Sequence, residues 1–248
     1  MDKQRNLLSS PFILGTLLKR YKRFFADILL DDGSEITAHC PNSGAMLGVL
    51  EAGNRVAVTA AENPLRKLKY TWQYVCVNET WIGINTHLTN EIVADSLEKK
   101  LIPELRDYTS VAREIKYGTN CRIDFLLTEE NLPPCYLEVK NAHLKRGEIA
   151  QFPDCVTARG AKHLTELAKL RQKGMRCVVL YLVQRSDCTE FCLAEDIDPA
   201  YGKASELAKT YGVEMLAFAH EVSVNEGAIL RPGNLYQLTF SQIHKVML

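Results

Sequence analysis

Three charged residues lie inside two apolar runs of the sequence. Asp124 is in "RIDFLL", and Glu138 and Lys140 are in "CYLEVKN". Side chains alternate across a β-strand, so Glu138 and Lys140 should project from the same face. If the two runs form a hairpin whose loop is centred near Asn131, Asp124 stands beside Glu138. The sequence therefore predicts two carboxylates and one ammonium on neighbouring strands.

This arrangement is suited to binding a metal ion. Neighbouring carboxylates repel and are costly to bury unless a cation neutralises them. Mg²⁺ usually takes one or two carboxylates together with waters and substrate phosphates. We therefore predict a Mg²⁺ or Mn²⁺ site at Asp124 and Glu138, where the ion would activate water and offset charge on a scissile phosphate. Lys140 would orient the water or neutralise the phosphate, and Glu114 is a candidate further ligand or proton acceptor.

A charge network without catalytic function would use the same residues. A buried Asp–Lys–Glu network could simply fix the strand register, and the spacing alone does not separate the two interpretations. The Glu-x-Lys triplet itself is a weak signal, because it also occurs at Glu98 and at Glu114. Only the triplet at Glu138 follows an apolar strand that carries an aspartate.

Weaker candidates lie further along the chain. Arg159 and His163 are four residues apart on a predicted helix and share a face that points either at phosphate or into solvent. Gln184 ends an apolar strand, a place where polar groups often meet ligands in α/β sheets, although a strand terminus also simply meets water. Asp154 follows a proline, but no acid-x-Lys triplet comes after it, so we predict that it caps the helix starting near Thr157.

The residues before the candidate site form a β-rich region. Residues 12–84 contain short apolar runs broken by turns, including the hairpin signal Asp32-Gly33, with no helical pattern between them. A small closed barrel removes the edges of such a sheet. The alternative is a β-extension of one larger domain.

After Asn85 the pattern changes to mixed α and β. We predict a helix in "NEIVADSLEKKLIPEL" capped by Asn90, three strands, a helix ended by Gly174, the apolar strand "MRCVVLYLVQ", and a further helix and strand. This order indicates a mixed sheet flanked by helices. The predicted fold class is therefore α/β (α+β), with a barrel domain at 1–85 and a second domain at 86–248.

The predicted barrel carries two basic and aromatic clusters, "KRYKRFF" and "NPLRKLKYTW". Cations that follow a phosphate backbone and aromatics that stack on bases, at about 1–3 kcal/mol per base, are typical of single-strand binding. Several of these aromatics must also fill the barrel core. The candidate nucleic-acid-binding residues are Lys19, Arg20, Lys22, Arg23, Arg66, Lys67, Lys69, Tyr70 and Trp72.

Composition narrows the remaining possibilities. Lys plus Arg equals Asp plus Glu at 30 each, so only local clustering can indicate a polyanionic partner. The eight cysteines lack metal-binding spacing and are expected to be free thiols, mostly in the core. The N-terminus leads into no hydrophobic signal segment, and no run approaches the ~20 apolar residues of a membrane span. We expect a cytoplasmic protein without a membrane partner.

Long motifs resemble those of the sugar fermentation stimulation protein A family. They include "GTLLKRYKRFFADI", "ITAHCPNSGAM", "REIKYG", "YLEVKN" and "FPDCVTARGAKHL", in the order and approximate spacing of that family over essentially the whole chain. The resemblance implies an oligonucleotide/oligosaccharide-binding (OB) barrel joined to a domain similar to the Asp-Glu-x-Lys restriction endonucleases. It also implies DNA binding with little sequence preference and a link to sugar, particularly maltose, utilisation.

The resemblance assigns roles to the charged residues. In nuclease-like terms, Asp124 matches the first metal carboxylate, Glu138 the second, Lys140 the catalytic lysine and Glu114 an upstream acid. Ile123 replaces the proline that commonly precedes the first aspartate, which weakens the motif more than the mechanism.

Three functional hypotheses follow. The first is a DNA-binding protein with a Mg²⁺-dependent nuclease site, and the second is a non-catalytic DNA-binding regulator whose acids are structural. In the third, the barrel binds an oligosaccharide, against which its dense lysines and arginines argue. The sequence leaves open whether the DNA is single- or double-stranded, and it leaves the oligomeric state open.

Overall fold

The computed structural model describes residues 12–63, 65–117, 121–222 and 232–240. The first part is a six-stranded sheet in the order β3-β2-β1-β4-β5-β6, and β3 also pairs with β5, which closes the sheet into a barrel. Its strands are β1 (Ile13–Tyr21), β2 (Phe25–Leu30), β3 (Glu35–His39), β4 (Arg55–Ala60), β5 (Tyr70–Val77) and β6 (Thr80–Gly83). The predicted small barrel is confirmed.

Alternating side chains fill the interior of the barrel. Leu17, Ile28, Val58 and Trp72 are completely buried there, and they come from four different strands. The predicted turn between β2 and β3 is present, with Gly33 at a φ of 85° that suits glycine. Burial of apolar side chains at period two is therefore what holds these short strands together.

The second part is a six-stranded mixed sheet with helices on its faces, in the order β15-β14-β12-β9-β8-β7. Strands β9, β12 and β14 run parallel, and the outer pairs are antiparallel. Its elements are α1 (Thr86–Glu98), a 3₁₀ helix (Pro103–Leu105), β7 (Ser110–Tyr117), β8 (Cys121–Glu129), β9 (Leu132–Ala142), α2 (Ala158–Gln172), β12 (Arg176–Val183), α3 (Pro199–Thr210), β14 (Glu214–Val222) and β15 (Pro232–Gln237).

Both faces of β12 are covered, as its continuous apolar sequence predicts. Leu180 belongs to a cluster with Ile92 of α1. Its neighbour Tyr181 projects from the opposite face and belongs to a second cluster with Leu164 of α2. The sheet is therefore enclosed between α1 and α2, the arrangement that the order of the elements predicts.

A second, smaller sheet was not predicted. It consists of β10 (Leu144–Arg146), β11 (Ile149–Phe152), β13 (Glu190–Leu193) and β16 (Thr239–Phe240), in that order. Each strand has only two to four residues. Segments this short give no clear hydrophobic period, which is why the sequence pattern did not indicate them.

Two predicted helix caps are wrong. Helix α1 begins one turn earlier than predicted, because the Asn85 side chain accepts a hydrogen bond from His87 N–H, and Asn90 lies inside the helix. Helix α2 is capped by Thr157, whose hydroxyl accepts from Gly160 N–H. Asp154 instead accepts a hydrogen bond from Met46 N–H of the barrel, at 2.6 Å.

The barrel contacts the second part of the chain through residues 41–46. A Cβ atom at Gly44 would lie 2.7 Å from Asp154 Oδ2, so any larger residue would force this carboxylate to shift. Thr86 Oγ1 of the second part donates to Pro41 O at 2.8 Å, and within the barrel Asn42 Nδ2 donates to Ile84 O at 3.1 Å. These contacts hold the 41–46 segment beside the larger sheet.

All eight cysteines are free, and six of them are buried, as their apolar surroundings predict. Within the described ranges, no helix is both long and apolar enough to cross a membrane.

Candidate functional site

The hairpin of β8 and β9 brings the two predicted acids together. Its register pairs Phe125 with Leu137, which puts Asp124 and Glu138 at the next position along the two strands. The side chains of Asp124 and Glu138 line the same cavity of about 350 Å³, together with Lys140. The acids therefore face one space and not opposite sides of the sheet.

Glu138 is held through one of its two carboxylate oxygens. Its residue is 3% exposed, and Oε1 accepts hydrogen bonds from Lys140 Nζ at 2.5 Å and from His163 Nδ1. Oε2 is buried and accepts no hydrogen bond within the part of the chain that the structure describes. Burial acts to raise the pKa of Glu138, but the charge of Lys140 and the hydrogen bond from His163 outweigh burial and lower it. Glu138 is thus an ionised carboxylate with one unused oxygen.

Asp124 is held by neutral donors. Asn90 Nδ2 donates to Oδ1 at 3.0 Å, and Val139 N–H donates to Oδ2 at 2.7 Å. Burial, and then the charge of Glu138, raise the pKa of Asp124 from 3.8 to about 6 despite these hydrogen bonds. The Asp124 carboxylate therefore gains too little compensation from the described residues for the cost of its burial.

These two carboxylates fit a divalent cation. Glu138 Oε2 is a buried oxygen without a donor among the described residues, and Asp124 carries a charge that its own surroundings disfavour. Groups of three or more His, Cys, Asp or Glu side chains that could hold a metal are absent from the described ranges. Mg²⁺ needs only one or two carboxylates, since waters and phosphates complete its shell. The donor set therefore suits a hard cation and not zinc.

Glu114 lies at the rim of the same cavity. The β7–β8 register pairs Arg113 with Phe125 and Ile115 with Ile123, so Glu114 is opposite Asp124. Its side chain is 54% exposed and lies 3.5 Å from Arg122. The structure thus brings Glu114 near Asp124 but leaves it in solvent.

Helix α2 supplies the opposite wall. Thr157, Arg159, Gly160 and His163 line the cavity. His163 is 6% exposed, so it is not the solvated helix residue that was one alternative; it orients Glu138. Arg159 is exposed and its Nε lies 3.4 Å from His163 Nε2. The i, i+4 spacing correctly indicated that both side chains share a face.

A second cavity of about 290 Å³ adjoins the first. Its walls come from Asn42, Ser43 and Gly44 of the barrel and from the Asp124–Lys140 side of the larger sheet. Asp124 and Lys140, with Val139 and Thr157, line both cavities. The candidate site is therefore a cleft that extends from the larger domain to the barrel.

Gln184 is wrong as a ligand-binding candidate. The residue is completely buried, and its Nε2 donates to Thr89 Oγ1 at 3.1 Å and to Asn141 Oδ1 at 2.8 Å. Its main-chain oxygen accepts from Gly83 N–H of the barrel at 2.9 Å. Gln184 joins the two parts of the chain and lines neither of the two cavities.

Two of the residues predicted to contact nucleic acid have structural roles. Trp72 is wrong as a stacking residue, because it is completely buried and its indole N–H donates to Tyr74 O at 2.8 Å. Arg20 donates to Arg23 O at 2.9 Å, and to the main-chain oxygens of Asn42 and Gly44 at 2.8 and 3.0 Å. Its guanidinium therefore fixes the wall of the second cavity.

The other predicted contacts stay on the surface or partly so. Lys22, Arg23, Lys67 and Lys69 are exposed. Lys19 is 67% exposed and lies 3.3 Å from Asp27, whereas Arg66 and Tyr70 are half-buried. Arg23 is close enough to Cys155, in the wall of the second cavity, to oppose the larger effect of burial, which raises the pKa of that thiol. Arg20, next to the last residue of β1, bonds Asn42 and Gly44 in that wall, so this end of β1 lies beside the cleft.

Comparison with known proteins identifies the family. The model described as "SfsA N-terminal OB domain" matches residues 18–84, and the model described as "Sugar fermentation stimulation protein RE domain" matches residues 87–226. The chain belongs to the sugar fermentation stimulation protein family. Its fold is accordingly an OB-type barrel followed by a restriction-endonuclease-like domain, as the resemblance implied.

Relatives in this family are similar over most of their length. The sugar fermentation stimulation protein homolog of Maricaulis maris is 51% identical over 224 residues, covering 90% of this chain and 95% of the relative. The homolog of Paramagnetospirillum magneticum is 50% identical over 210 residues, covering 85% and 89%. The structure of Pyrococcus furiosus SfsA in complex with Ca²⁺ has a TM-score of 0.83 and 25% identity, covering 94% of this chain and 97% of that one.

Proposed function

We propose that this family member binds DNA and hydrolyses its phosphodiester bonds in a Mg²⁺- or Mn²⁺-dependent reaction. The observation that carries the proposal is the incompletely compensated pair of acids, in which Glu138 Oε2 lacks a donor among the described residues and Asp124 has a pKa raised to about 6. We assign binding to a barrel domain at 1–85 and hydrolysis to a domain at 86–248, and we expect the protein in the cytoplasm.

Asp124 and Glu138 would hold the metal ion. When bound, the ion would activate a water molecule and offset the negative charge that develops on the phosphate. A relative with the same fold has been solved in complex with Ca²⁺, another cation that prefers oxygen ligands. That finding supports a cation-binding role for this fold and leaves the choice between Mg²⁺ and Mn²⁺ to experiment.

The other residues prepare the site for the substrate. Asn90 and the Val139 N–H orient Asp124, and His163 orients Glu138. Lys140 Nζ, now bonded to Glu138, has further protons to donate to a phosphate oxygen in the same cavity. These contacts pre-organise charged groups in a partly enclosed space, where electrostatic stabilisation is stronger than in water. Glu114 is our candidate proton acceptor at the rim.

The barrel is the proposed binding surface for DNA. Lys22, Arg23, Lys67 and Lys69 supply exposed positive charge, and Lys22 and Arg23 directly follow the end of β1 that lies beside the cleft. We propose that a strand held there reaches Asp124 along the second cavity, which Asn42 and Gly44 of the barrel line together with Asp124. The buried Trp72 removes one stacking platform, so we assign most of the affinity to phosphate contacts. Such contacts make binding strongly dependent on salt.

Cleavage of labelled single- and double-stranded DNA with Mg²⁺ or Mn²⁺ tests the proposal. We expect activity from the unaltered protein, and a loss on the order of a hundredfold or more in Asp124→Asn and Glu138→Gln, which keep the shape of each side chain but remove its charge. Equal rates in all three proteins would assign the cleavage to a contaminant. No cleavage by the unaltered protein with either cation, on either substrate, would exclude hydrolysis.

One observation favours a second candidate function, that of a non-catalytic DNA-binding protein. Glu138 Oε1 already has two donors, Lys140 and His163, as a purely structural carboxylate would. In this alternative both variants bind DNA normally and only their stability changes. Charge reversal at Lys67 and Lys69 separates the binding role from the acids: it should weaken DNA binding and reduce its salt dependence in either case.

A further inference from the structure

Several arginines of this protein differ clearly in how their guanidinium groups are partnered. Among the residues that the structure describes, four arginines pair with a carboxylate through two nitrogens at 2.5–3.0 Å, the geometry of strong charge-assisted hydrogen bonds. They are Arg55 with Asp31, Arg113 with Glu91, Arg176 with Glu214 and Arg185 with Asp187. Each of these guanidinium groups therefore already has a carboxylate partner within the protein.

The two arginines of the first cavity lack such pairing among the described residues. Arg122 has one nitrogen 3.5 Å from Glu114, which is at the outer limit of a hydrogen bond. Arg159 lies 3.4 Å from a ring nitrogen of His163 and pairs with no carboxylate in the described ranges. Both side chains are exposed, yet both line the cavity of Asp124 and Glu138. Most of their donors are therefore available to a ligand.

We propose that Arg122 and Arg159 bind the backbone phosphates next to the scissile one, so that the site selects a polynucleotide over an isolated phosphodiester. This proposal rests on the proposed function, since it names the substrate class of that site. Arginine donors match a phosphate bidentately, and the two side chains enter from different elements, β8 and α2. Arg122 and Arg159 can therefore bind two phosphate groups at the same time.

The surroundings of Arg159 also favour an anion. It lies in the first turn of the 15-residue helix α2, whose N-terminal dipole attracts negative charge. Thr157 and Gly160 of the same turn line the cavity. The two acids would repel a phosphate unless cations surround it, and Arg122, Arg159 and Lys140 provide three positive charges around the same cavity. These side chains would thus balance the negative charge of the phosphates on either side of a metal-bound phosphate.

We call the pair Arg122 and Arg159 the clamp. Binding of a fluorescein-labelled single-stranded oligodeoxynucleotide in EDTA tests it without any cleavage. Arg122→Ala and Arg159→Ala should each weaken binding roughly tenfold and reduce the slope of log K against log [salt] by about 0.7. Arg122→Lys and Arg159→Lys should recover the slope but only part of the affinity, because lysine cannot bind bidentately. Arg146→Ala is the matched control: its side chain is 45% exposed and pairs with Asp196 at 2.8 Å, away from both cavities.

A methylphosphonate placed at one linkage at a time locates the contacts. Where a neutral linkage weakens binding of the unaltered protein, it should cause no further loss in the arginine variant that has already lost that contact. Alanine variants that bind like the unaltered protein, or that lose affinity with an unchanged salt slope, would overturn the clamp. So would a failure of the unaltered protein to bind.

The clamp and the proposed hydrolysis can fail separately. DNA that is bound with the expected arginine dependence but never cut with Mg²⁺ or Mn²⁺ refutes hydrolysis and leaves the clamp standing. If cleavage occurs, the alanine variants should lose much more rate on DNA than on bis(p-nitrophenyl) phosphate, which has no flanking phosphates. An equal loss on both substrates would mean that the arginines shape the site and do not bind the polymer.

Discussion

Replacing Asp124 by asparagine should make the protein respond differently to pH. The folded-state pKa of Asp124 is about 6, against an ordinary value of 3.8. At about 1.4 kcal/mol per pKa unit, this difference means that the ionised carboxylate lowers the free energy of unfolding by about 3 kcal/mol at neutral pH. The cost arises because Asp124 is buried, close to Glu138, and bonded only to the neutral donors Asn90 and Val139 N–H.

The direction in which stability changes with pH follows from proton binding at Asp124. Between pH 3.8 and about pH 6 the folded state binds more protons at Asp124 than the unfolded state does. The contribution of Asp124 to the free energy of unfolding is therefore fully present below pH 3.8 and is lost as the pH rises through 6. The two pKa values give a loss of about 1.4 kcal/mol between roughly pH 5 and pH 7.5. The asparagine side chain of the variant does not titrate, so the variant should gain that amount relative to the unaltered protein over this range.

The assay is urea unfolding in EDTA at several pH values, followed by far-UV circular dichroism, which reports the helices α1, α2 and α3. The amide loses one of the two hydrogen bonds that Asp124 accepts, which costs about 1–2 kcal/mol at every pH and leaves the pH-dependent difference unchanged. Asp107→Asn, at a side chain that is 81% exposed, controls for removing a carboxylate in solvent. A difference between Asp124→Asn and the unaltered protein that stays flat across this pH range would refute a raised pKa at this site.

Three further outcomes are expected. Mg²⁺ or Mn²⁺ should raise the melting temperature of the unaltered protein but not that of Asp124→Asn. Below about pH 6 the apparent affinity for the ion should fall about tenfold per pH unit, because protons compete for Asp124. Equal shifts in melting temperature in both proteins would mean that the ion binds elsewhere. Gly44→Ala should lower the melting temperature, because its Cβ would lie 2.7 Å from Asp154 Oδ2; an unchanged value would mean that the contact yields freely. Trp72→Ala should destabilise the barrel by about 3–5 kcal/mol, whereas Phe24→Ala, at a residue that is 45% exposed, should cost far less; equal losses in urea unfolding would contradict the inward position of Trp72.

The sequence indicated the hairpin correctly because several local signals agree there. Apolar alternation in β8 and β9, the turn between them and the position of the charges within apolar runs all predict one register, which the structure has. The beginning of α1 was missed because both Asn85 and Asn90 are good N-caps, and only the structure shows that Asn90 is needed at Asp124. Local preference cannot choose between two equally suitable caps.

The orientation of individual side chains and their burial were harder to predict. Strand β5 is buried on both faces from Thr71 to Val75, so alternation could not reveal that Trp72 points inward. Gln184 lies at a strand end where ligands often bind, yet the barrel covers it through Gly83, a contact between residues about a hundred positions apart in the sequence. Arg122 was overlooked for a similar reason: only the pairing of other arginines makes its weak contact with Glu114 informative.

The pattern of hydrogen-bond partners favours a metal site over a register-fixing network. A network that serves stability should satisfy both acids, since an uncompensated buried charge is strongly destabilising. Here Lys140 and His163 converge on a single oxygen of Glu138, while Asp124 has only neutral hydrogen-bond donors among the described residues. The fold thus keeps two negative charges close together with less positive charge than they need. In the proposed function a divalent cation would supply the missing charge, and Arg122 and Arg159 would use their available donors to bind the phosphates of DNA.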